Sequence, residues 1–474
     1  MMKFIETFFQ GIYNLGPLVM MPIVLFLLGL LFGMGFKKSI RSGLTVGVGF
    51  AGIYLVLDFF LRTIGGVGTT LATKYGGAAS FTDIGWASFA AIGWASAIGL
   101  IFIPVGIVSN LIMLLAGLTK NLSVNIWDYW ESIIAGVIVQ TLTGSFWLGL
   151  IFATLVHIIN LKVGDWTYHY FRDYFGFKGI VSYAAGYAEW GIIGYPIAWL
   201  LDKIPGLSKV KLTPAAMTKR FGVFGEPIFI GSVIGLAMGL LAGQNIGTAF
   251  LLGVNIAAVM YIQPKMISIL MEGLIPISDG AKNFLQKRAP GREIFIGLDP
   301  AIGTGDATAL SVAFLMVPVA VFLAIILPGS KVMPLADLTF IVFFSMWAAA
   351  MCKGDILKSF ITTIFFTIFA IYSASYTAPV MNALAHASGL LPADQASATV
   401  THFANGFYPH SLIAALLGQL FSGGSPVSGL LNLPLGVILT VVLVGMIILY
   451  MIIKRRTSKV VAPETKEVAE ETKK

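Results

Sequence analysis

LPLGVILTVVLVGMIILYMII, residues 433–453, runs for 21 positions without a charged side chain and stops at Lys454-Arg455-Arg456. A helix rises 1.5 Å per residue, so about 20 apolar residues cross the roughly 30 Å hydrocarbon core of a bilayer. The stretch is therefore read as a membrane-spanning helix with its basic end at a water interface. Similar apolar runs lie near 15–36, 43–61, 84–117, 132–160, 178–201, 224–242, 246–270, 294–328, 338–352 and 356–380. The chain is 57% hydrophobic and 11% charged. A soluble domain carries about a quarter charged residues, so lipid rather than water is the solvent this composition suits. The expectation is an all-α integral membrane protein with about eleven transmembrane helices.

Two runs, 84–117 and 294–328, exceed a single span. Each opens on a Gly-rich, weakly apolar stretch and closes on a strongly apolar one. A re-entrant hairpin followed by a span fits both, because non-helical backbone survives at membrane depth only where it lines a cavity or is buried in protein. Alternating the spans puts 23 of the 30 Lys and Arg residues on one side, among them the loops 202–220 and 265–293 and the tail from Lys454. The positive-inside rule makes that side cytoplasmic, with the N-terminus outside and the C-terminus inside. The net charge of +8 thus reflects topology and not nucleic-acid binding. The run 15–36 lacks a small-residue cleavage site and is read as the first span rather than a signal peptide.

Pro17, Gly29, Gly33 and Gly43 match Pro227, Gly239, Gly243 and Gly253 at one constant offset, and Pro104 pairs with Pro318 at a nearby one. Five spans separate the copies. An odd number inverts the second copy, which is a recurrent transporter design. The expected division is a first five-helix inverted repeat over 1–201, a second over 202–380, an external loop over 381–432, a final helix over 433–453 and a disordered cytoplasmic tail over 454–474.

Ionisable residues within spans are costly and mark candidate sites. Glu226 sits in Phe224-Gly225-Glu226-Pro227 and Asp299 in Gly297-Leu298-Asp299-Pro300. A Pro next to each interrupts the helix, and a carboxylate can take two hydroxyls of a polyol; helix capping is the plain alternative for both. Asp306 follows Gly303-Thr304-Gly305, where glycines let backbone approach a ligand, but the phosphate-loop ending is missing. His157 and Gln140 lie deep in the fourth run, with an interhelical hydrogen bond as the alternative role for the histidine. Glu189 stands beside Tyr187 and Trp190, a pairing that suits sugar stacking or an interfacial belt. Asp58 is placed to pair with Arg62 one turn later. His386, His402 and His410 are read as loop residues. The single cysteine, Cys352, is read as a small residue at a helix end, and no metal or cofactor motif is present. No nucleophile, base and orienter come together, so the chain itself is expected to carry no catalytic residues and to act as a carrier.

Asn14-Leu15-Gly16-Pro17, Val124-Asn125-Ile126-Trp127, Gly164-Asp165-Trp166, Lys203-Ile204-Pro205-Gly206, Phe224-Gly225-Glu226-Pro227, Gly273-Leu274-Ile275-Pro276, Gly297-Leu298-Asp299-Pro300 and the loop from Pro328-Gly329 to Asp337-Leu338 occur in that order. Together they resemble the galactitol-type IIC component of the bacterial phosphotransferase system, over about residues 14–340. The resemblance implies a homodimeric carrier with inverted repeats and re-entrant hairpins. It also implies a core domain that moves against a dimerising scaffold like an elevator. A separate IIB protein, phosphorylated on a cysteine and supplied by IIA, would phosphorylate the cargo at the cytoplasmic side. Galactitol carriers have a His after the Gly-Asp-Trp loop; here 179–190 holds none and carries Tyr183, Tyr187 and Glu189, which leaves the cargo open to another hexitol, pentitol or sugar. The rival readings are an ion-coupled secondary transporter of a polar solute, and a membrane subunit that anchors a soluble enzyme.

Overall fold

The computed structural model describes residues 19, 21–75, 81–183, 186–209, 211–288, 293–389, 391, 398–423 and 425–471. The Asn14–Pro17 motif and the N-terminal end of the first expected span lie outside them. Helices dominate. Among the described residues, six are long and apolar enough to cross a bilayer: Phe36–Val56, Phe146–Asp173, Ile246–Gly280, Ala307–Ile326, Ile356–Ser388 and Leu433–Arg456. The pair Pro214–Gly225 and Pro227–Leu241, bent by 68°, makes a seventh candidate. Four shorter apolar helices accompany them: Met21–Leu31, Ile101–Leu115, Trp190–Leu201 and Leu338–Met351.

Helices α2 (Phe36–Tyr75) and α10 (Pro227–Leu241) pack on α11 (Ile246–Arg288) more extensively than on the rest of the chain, and α1 (Met21–Leu31) lies against α2, with Pro22 at Gly43 and Gly47. Small residues set their spacing. A Cβ added to Gly49 of α2 would fall 2.5 Å from Leu270 Cα of α11, so only glycine admits this approach. Close packing of backbones is how helices associate when lipid surrounds them and no hydrophobic drive separates helix from solvent.

The remaining elements form a second body. They are α3 (Trp86–Ala95), α4 (Ala97–Leu115), α5 (Tyr129–Thr143), α6 (Phe146–Asp173), α7 (Trp190–Ile193), α8 (Tyr195–Leu201), α12 (Ala307–Ile326), α13 (Ile341–Met351), α14 (Ile356–Ser388), α15 (Pro409–Leu420) and α16 (Leu433–Glu471); α9 (Pro214–Phe221) instead packs on the turn Gly222–Gly225 that leads into α10. Two short parallel sheets lie inside it. In one, β1 (Phe81–Asp83) is central between β5 (Val332–Met333) and β6 (Val400–Thr401). In the other, β4 (Phe295–Leu298) is central between β2 (Asn121–Ser123) and β3 (Ile180–Ser182). Each sheet thus takes its centre from one half of the chain and its edges from the other. The strands satisfy backbone groups that a helix break would otherwise leave unpaired in an apolar interior. The long run 294–328 resolves accordingly into β4, the turn Pro300–Gly303 and a helix over Ala307–Ile326, whereas 84–117 is two helices broken at Ser96.

Three expectations are corrected. The run 132–160 is not one helix: α5 ends at Thr143, Gly144 turns at φ 71°, and the Ser145 side chain caps α6 by accepting from Leu148 N at 3.3 Å. Apolar content is continuous through the turn, so hydropathy alone merges the two. The segment 381–432 is not a loop. Its described part holds the end of α14, β6, the turn Phe403–Phe407 and α15, with His402, Phe403, Phe407 and Tyr408 fully buried. The segment lacks Lys and Arg because it packs inside the protein. Finally, the tail is helical in backbone to Glu471. Its Glu, Lys and Ala residues are good helix formers, which a judgement from charge and low apolar content overlooks.

Candidate functional site

A cavity of about 280 Å³ opens where α2 meets the second body. Helix α2 contributes Tyr54 and Asp58 to its wall. The turn Ile126–Asp128 after β2 supplies Trp127 and Asp128, and the first turn of α5 supplies Trp130 and Glu131. The turn after β4 brings Asp299 and Pro300, and the start of α13 brings Thr339, Phe340 and Phe343. Trp86 and Tyr187 complete it. Both sheets therefore aim the ends of their strands at the one space, which explains why residues so distant in sequence meet there.

Asp299 is 6% exposed and holds three donors: Tyr54 Oη at 3.2 Å and Asn125 Nδ2 at 3.4 Å on Oδ2, and Ala301 N at 2.7 Å on Oδ1. The last bond caps the turn Pro300–Gly303, so capping and a cavity position coexist in one side chain. Asp128 and Glu131 are 4% and 1% exposed. Asp128 Oδ2 and Glu131 Oε2 have no hydrogen-bond partner in the structure, nor does Asn125 Oδ1. Buried acceptors without donors cost about 1–3 kcal/mol each, which a ligand rich in hydroxyl donors recovers. Around them the aromatic rings stand in contact: Trp86 with Phe340 at 5.4 Å between centroids, and Tyr187 with Phe343 at 5.4 Å. Such faces receive the C–H side of a carbohydrate while the carboxylates take its hydroxyls. No Lys, Arg or His is among the described residues that line the cavity.

Of the residues singled out in the sequence, Asp299 lies in this wall and Asp58 at its edge, paired with Arg62 at 2.9 Å. Tyr187, named for its ring, also lines it; the others lie elsewhere. Glu226 precedes α10, half-buried, with no capping bond of its own. Asp306 caps α12 through Ala309 N at 2.9 Å and accepts from Tyr174 Oη at 3.1 Å. His157 is buried between Tyr183 Oη and the Gly106 carbonyl, the interhelical role weighed for it. Gln140 lines a separate cavity with Ser96 and Leu384. Glu189 accepts from Gly186 N at 2.9 Å and faces a third, mostly apolar cavity, with His410 at 3.8 Å. Cys352 is buried at the end of α13, its Sγ 3.6 Å from Thr362 Oγ1.

Sequence reasoning did not find Asp128, Glu131, Tyr54 or the tryptophans. A signal existed: the quoted Val124–Trp127 motif stops one residue before Asp128, and the apolar run was begun at 132, one residue after Glu131.

A second carboxylate pair lies wholly inside. Asp83 accepts from Gly85 N at 3.1 Å, Phe403 N at 3.1 Å and Asp337 N at 2.7 Å. Asp337 accepts from Trp86 N at 2.9 Å and Ala404 N at 3.0 Å, with His402 Nε2 3.2 Å away. These two side chains staple the segments 83–86, 337 and 402–404, and so hold Trp86 and the start of α13 in the cavity wall.

A helical membrane protein with a closed-in, carboxylate- and aromatic-lined cavity between two packed bodies is of the solute-carrier class. Comparison with known proteins gives the family. The model for the "PTS system sugar-specific permease component" matches residues 11–394, and the chain belongs to that family, as a membrane-spanning IIC component of a sugar phosphotransferase system. An Escherichia coli (strain K12) protein named as a permease IIC component is 34% identical over 448 residues, covering 94% of this chain and 98% of that one. The galactitol-specific EIIC component of the same strain is 31% identical over 420 residues, 89% of each chain.

Proposed function

We propose that the chain carries a hexitol, galactitol first among candidates, across the bacterial inner membrane, and that a separate IIB protein, recharged by IIA, phosphorylates it. The observation that carries this reading is the cavity at Tyr54, Asp128, Glu131 and Asp299. It offers hydroxyl acceptors and ring faces, has no basic side chain among its described lining residues, and lies where α2 meets the rest of the chain. The named specificity of the galactitol relative agrees with it.

The finer architecture belongs to the same proposal. Six long apolar helices, the bent pair and the four shorter helices make eleven apolar segments, the number expected for N-terminus out and C-terminus in. The reciprocal sheets support an inverted repeat. Tyr183-Ala184-Ala185-Gly186-Tyr187 after β3 parallels Phe403-Ala404-Asn405-Gly406-Phe407 after β6. On that pattern the second copy reaches residue 420 rather than 380. The segments β1–α3 and β4–Gly303 take the part of the re-entrant hairpins. The four-helix bundle around α2 and α11 is the dimerising scaffold, and the second body is the moving core.

The test is uptake of radiolabelled galactitol into oriented vesicles, with and without phosphorylated IIB, followed by arabitol, mannitol, sorbitol and ascorbate. Accumulation as a phosphate, only with phosphorylated IIB, supports the reading. Accumulation without IIB that collapses with an ion gradient replaces it by ion-coupled transport, with Asp299 as the ion site.

A further inference from the structure

We propose that an anionic glycerophospholipid seats in the cavity between α16 and helices α6 and α15, with one acyl chain inside and its phosphate at Lys454. This cavity, the one that Glu189 faces, measures about 630 Å³. Helix α6 lines it between Phe152 and Trp166, α15 between Pro409 and Leu417, and α16 between Leu443 and Lys454. The lining is mostly aliphatic and aromatic. Helix α16 is the least buried of the six long apolar helices, with 28% of its apolar stretch inside the protein, and its other faces expose Val441, Ile448 and Ile452. An apolar gap at membrane depth takes hydrocarbon rather than water, because water finds too few hydrogen-bond partners there.

The polar groups give the rest of the ligand. At one end Lys454 brings an ammonium group, its Nζ donating to Tyr450 Oη at 3.0 Å, and Arg455 and Arg456 follow it, both exposed. Trp166 and Tyr450 stand at the same end, and these residue types mark the level of lipid head groups. The nearby acids are already matched: Asp173, at the end of α6, by Arg172 at 2.6 Å, and Asp202, just after α8, by Lys358 at 2.5 Å. A basic site between membrane helices at head-group level selects an anionic lipid. Deeper in, three polar side chains interrupt the apolar wall. Asn160 is 2% exposed and its Nδ2 has no hydrogen-bond partner; His410 is 7% exposed, with none on either ring nitrogen. Glu189 accepts from Gly186 N through Oε1, lies 3.8 Å from His410 Nδ1, and has Oε2 unpartnered. Hydrocarbon alone would leave these groups unmet. The ester carbonyls of a glycerolipid accept from Asn160 Nδ2 and from an imidazole N–H, beside the chain that fills the cavity.

The experiment is lipid retention by the purified full-length chain. The protein is delipidated in detergent and titrated with mixed micelles of radiolabelled phosphatidylglycerol, and the label that stays with it through gel filtration is counted. Phosphatidylcholine with the same acyl chains is run in parallel. The expected result is a saturable phosphatidylglycerol site, at least about 5-fold tighter than for phosphatidylcholine, the order of effect of a basic side chain near an anionic lipid. Lys454→Gln, a change at the cavity mouth, should weaken phosphatidylglycerol by about 5-fold and leave phosphatidylcholine unchanged. Lys37→Gln, on α2 in the other bundle, should alter neither. Ile447→Trp sets a ring into the cavity and should release the bound lipid whatever its head group. Equal retention of the two lipids overturns the proposal, as does a loss in Lys37→Gln that matches the loss in Lys454→Gln. Unchanged retention in a folded Ile447→Trp protein overturns it too, by placing the lipid outside this cavity.

Discussion

Tyr54 Oη donates to Asp299 Oδ2 across 3.2 Å and so joins α2 of the four-helix bundle to the end of β4 in the second body. Among the described residues this is a direct side-chain bond between the two bodies inside the candidate site. In the elevator movement proposed above, a bond of this kind would belong to one end of the travel. It links what the protein holds to where it holds it.

Replacing Tyr54 by Phe keeps the ring and removes the bond. A hydrogen bond to a charged group contributes about 1.5–3 kcal/mol. Galactitol uptake by Tyr54→Phe should show a KM raised about 10-fold, with folded yield unchanged because the ring still fills its place. An unaltered KM would show that Tyr54 lies outside the substrate's reach.

Asp299 separates two roles by the choice of substitution. Asp299→Asn keeps an oxygen for Ala301 N and should retain the fold, judged by a monodisperse gel-filtration peak. Uptake should still fall by about 100-fold as the charge and an acceptor are lost. Asp299→Ala also orphans the cap at Ala301 N and should lower the melting temperature as well, by the equivalent of about 1–3 kcal/mol. Equal melting temperatures for the two variants would remove the capping role.

Asp83 and Asp337 lie outside the cavity and should behave differently. Asp83→Ala strips three backbone amides of their acceptor, in a fully buried setting. Each unmet donor costs about 1–3 kcal/mol, so a loss of several kcal/mol is expected. Folded yield and melting temperature should drop sharply, by far more than the KM of the carrier that remains folded. A stable variant with a raised KM would move Asp83 into the site.

Gly49 tests the scaffold. Gly49→Val puts methyl groups where the Leu270 backbone stands, 2.5 Å from the position of a Cβ. Neither side can yield by a rotamer change, and the expected loss is at least about 1–3 kcal/mol, read as detergent instability of the purified protein. A variant that stays stable and active would mean that α2 and α11 are free to separate here.

Much of this was legible in the chain itself. The apolar run 433–453 and its counterparts dictated a helical membrane protein, because only that solvent absorbs so much apolar surface. The order of short Gly- and Pro-bearing motifs pointed to the family, and Gly297-Leu298-Asp299-Pro300 singled out Asp299, which the structure places in the cavity wall. These signals are local: hydropathy is a property of consecutive residues, and a carboxylate among apolar neighbours stands out by itself.

What tertiary structure alone decided was the company that Asp299 keeps. The sequence analysis singled out none of Asp128, Glu131 and Tyr54. The parallel sheet of β2, β3 and β4 carries Asp128, Glu131 and Asp299 to one wall, against which α2 sets Tyr54, through pairings more than a hundred positions apart that no window of sequence registers. The same reach hid the segment 398–420 in the interior, where its want of basic residues had implied an outside loop. Periodicity and charge report what a segment does toward its solvent. Which segments become each other's solvent is settled only when the strands pair and the helices close on them.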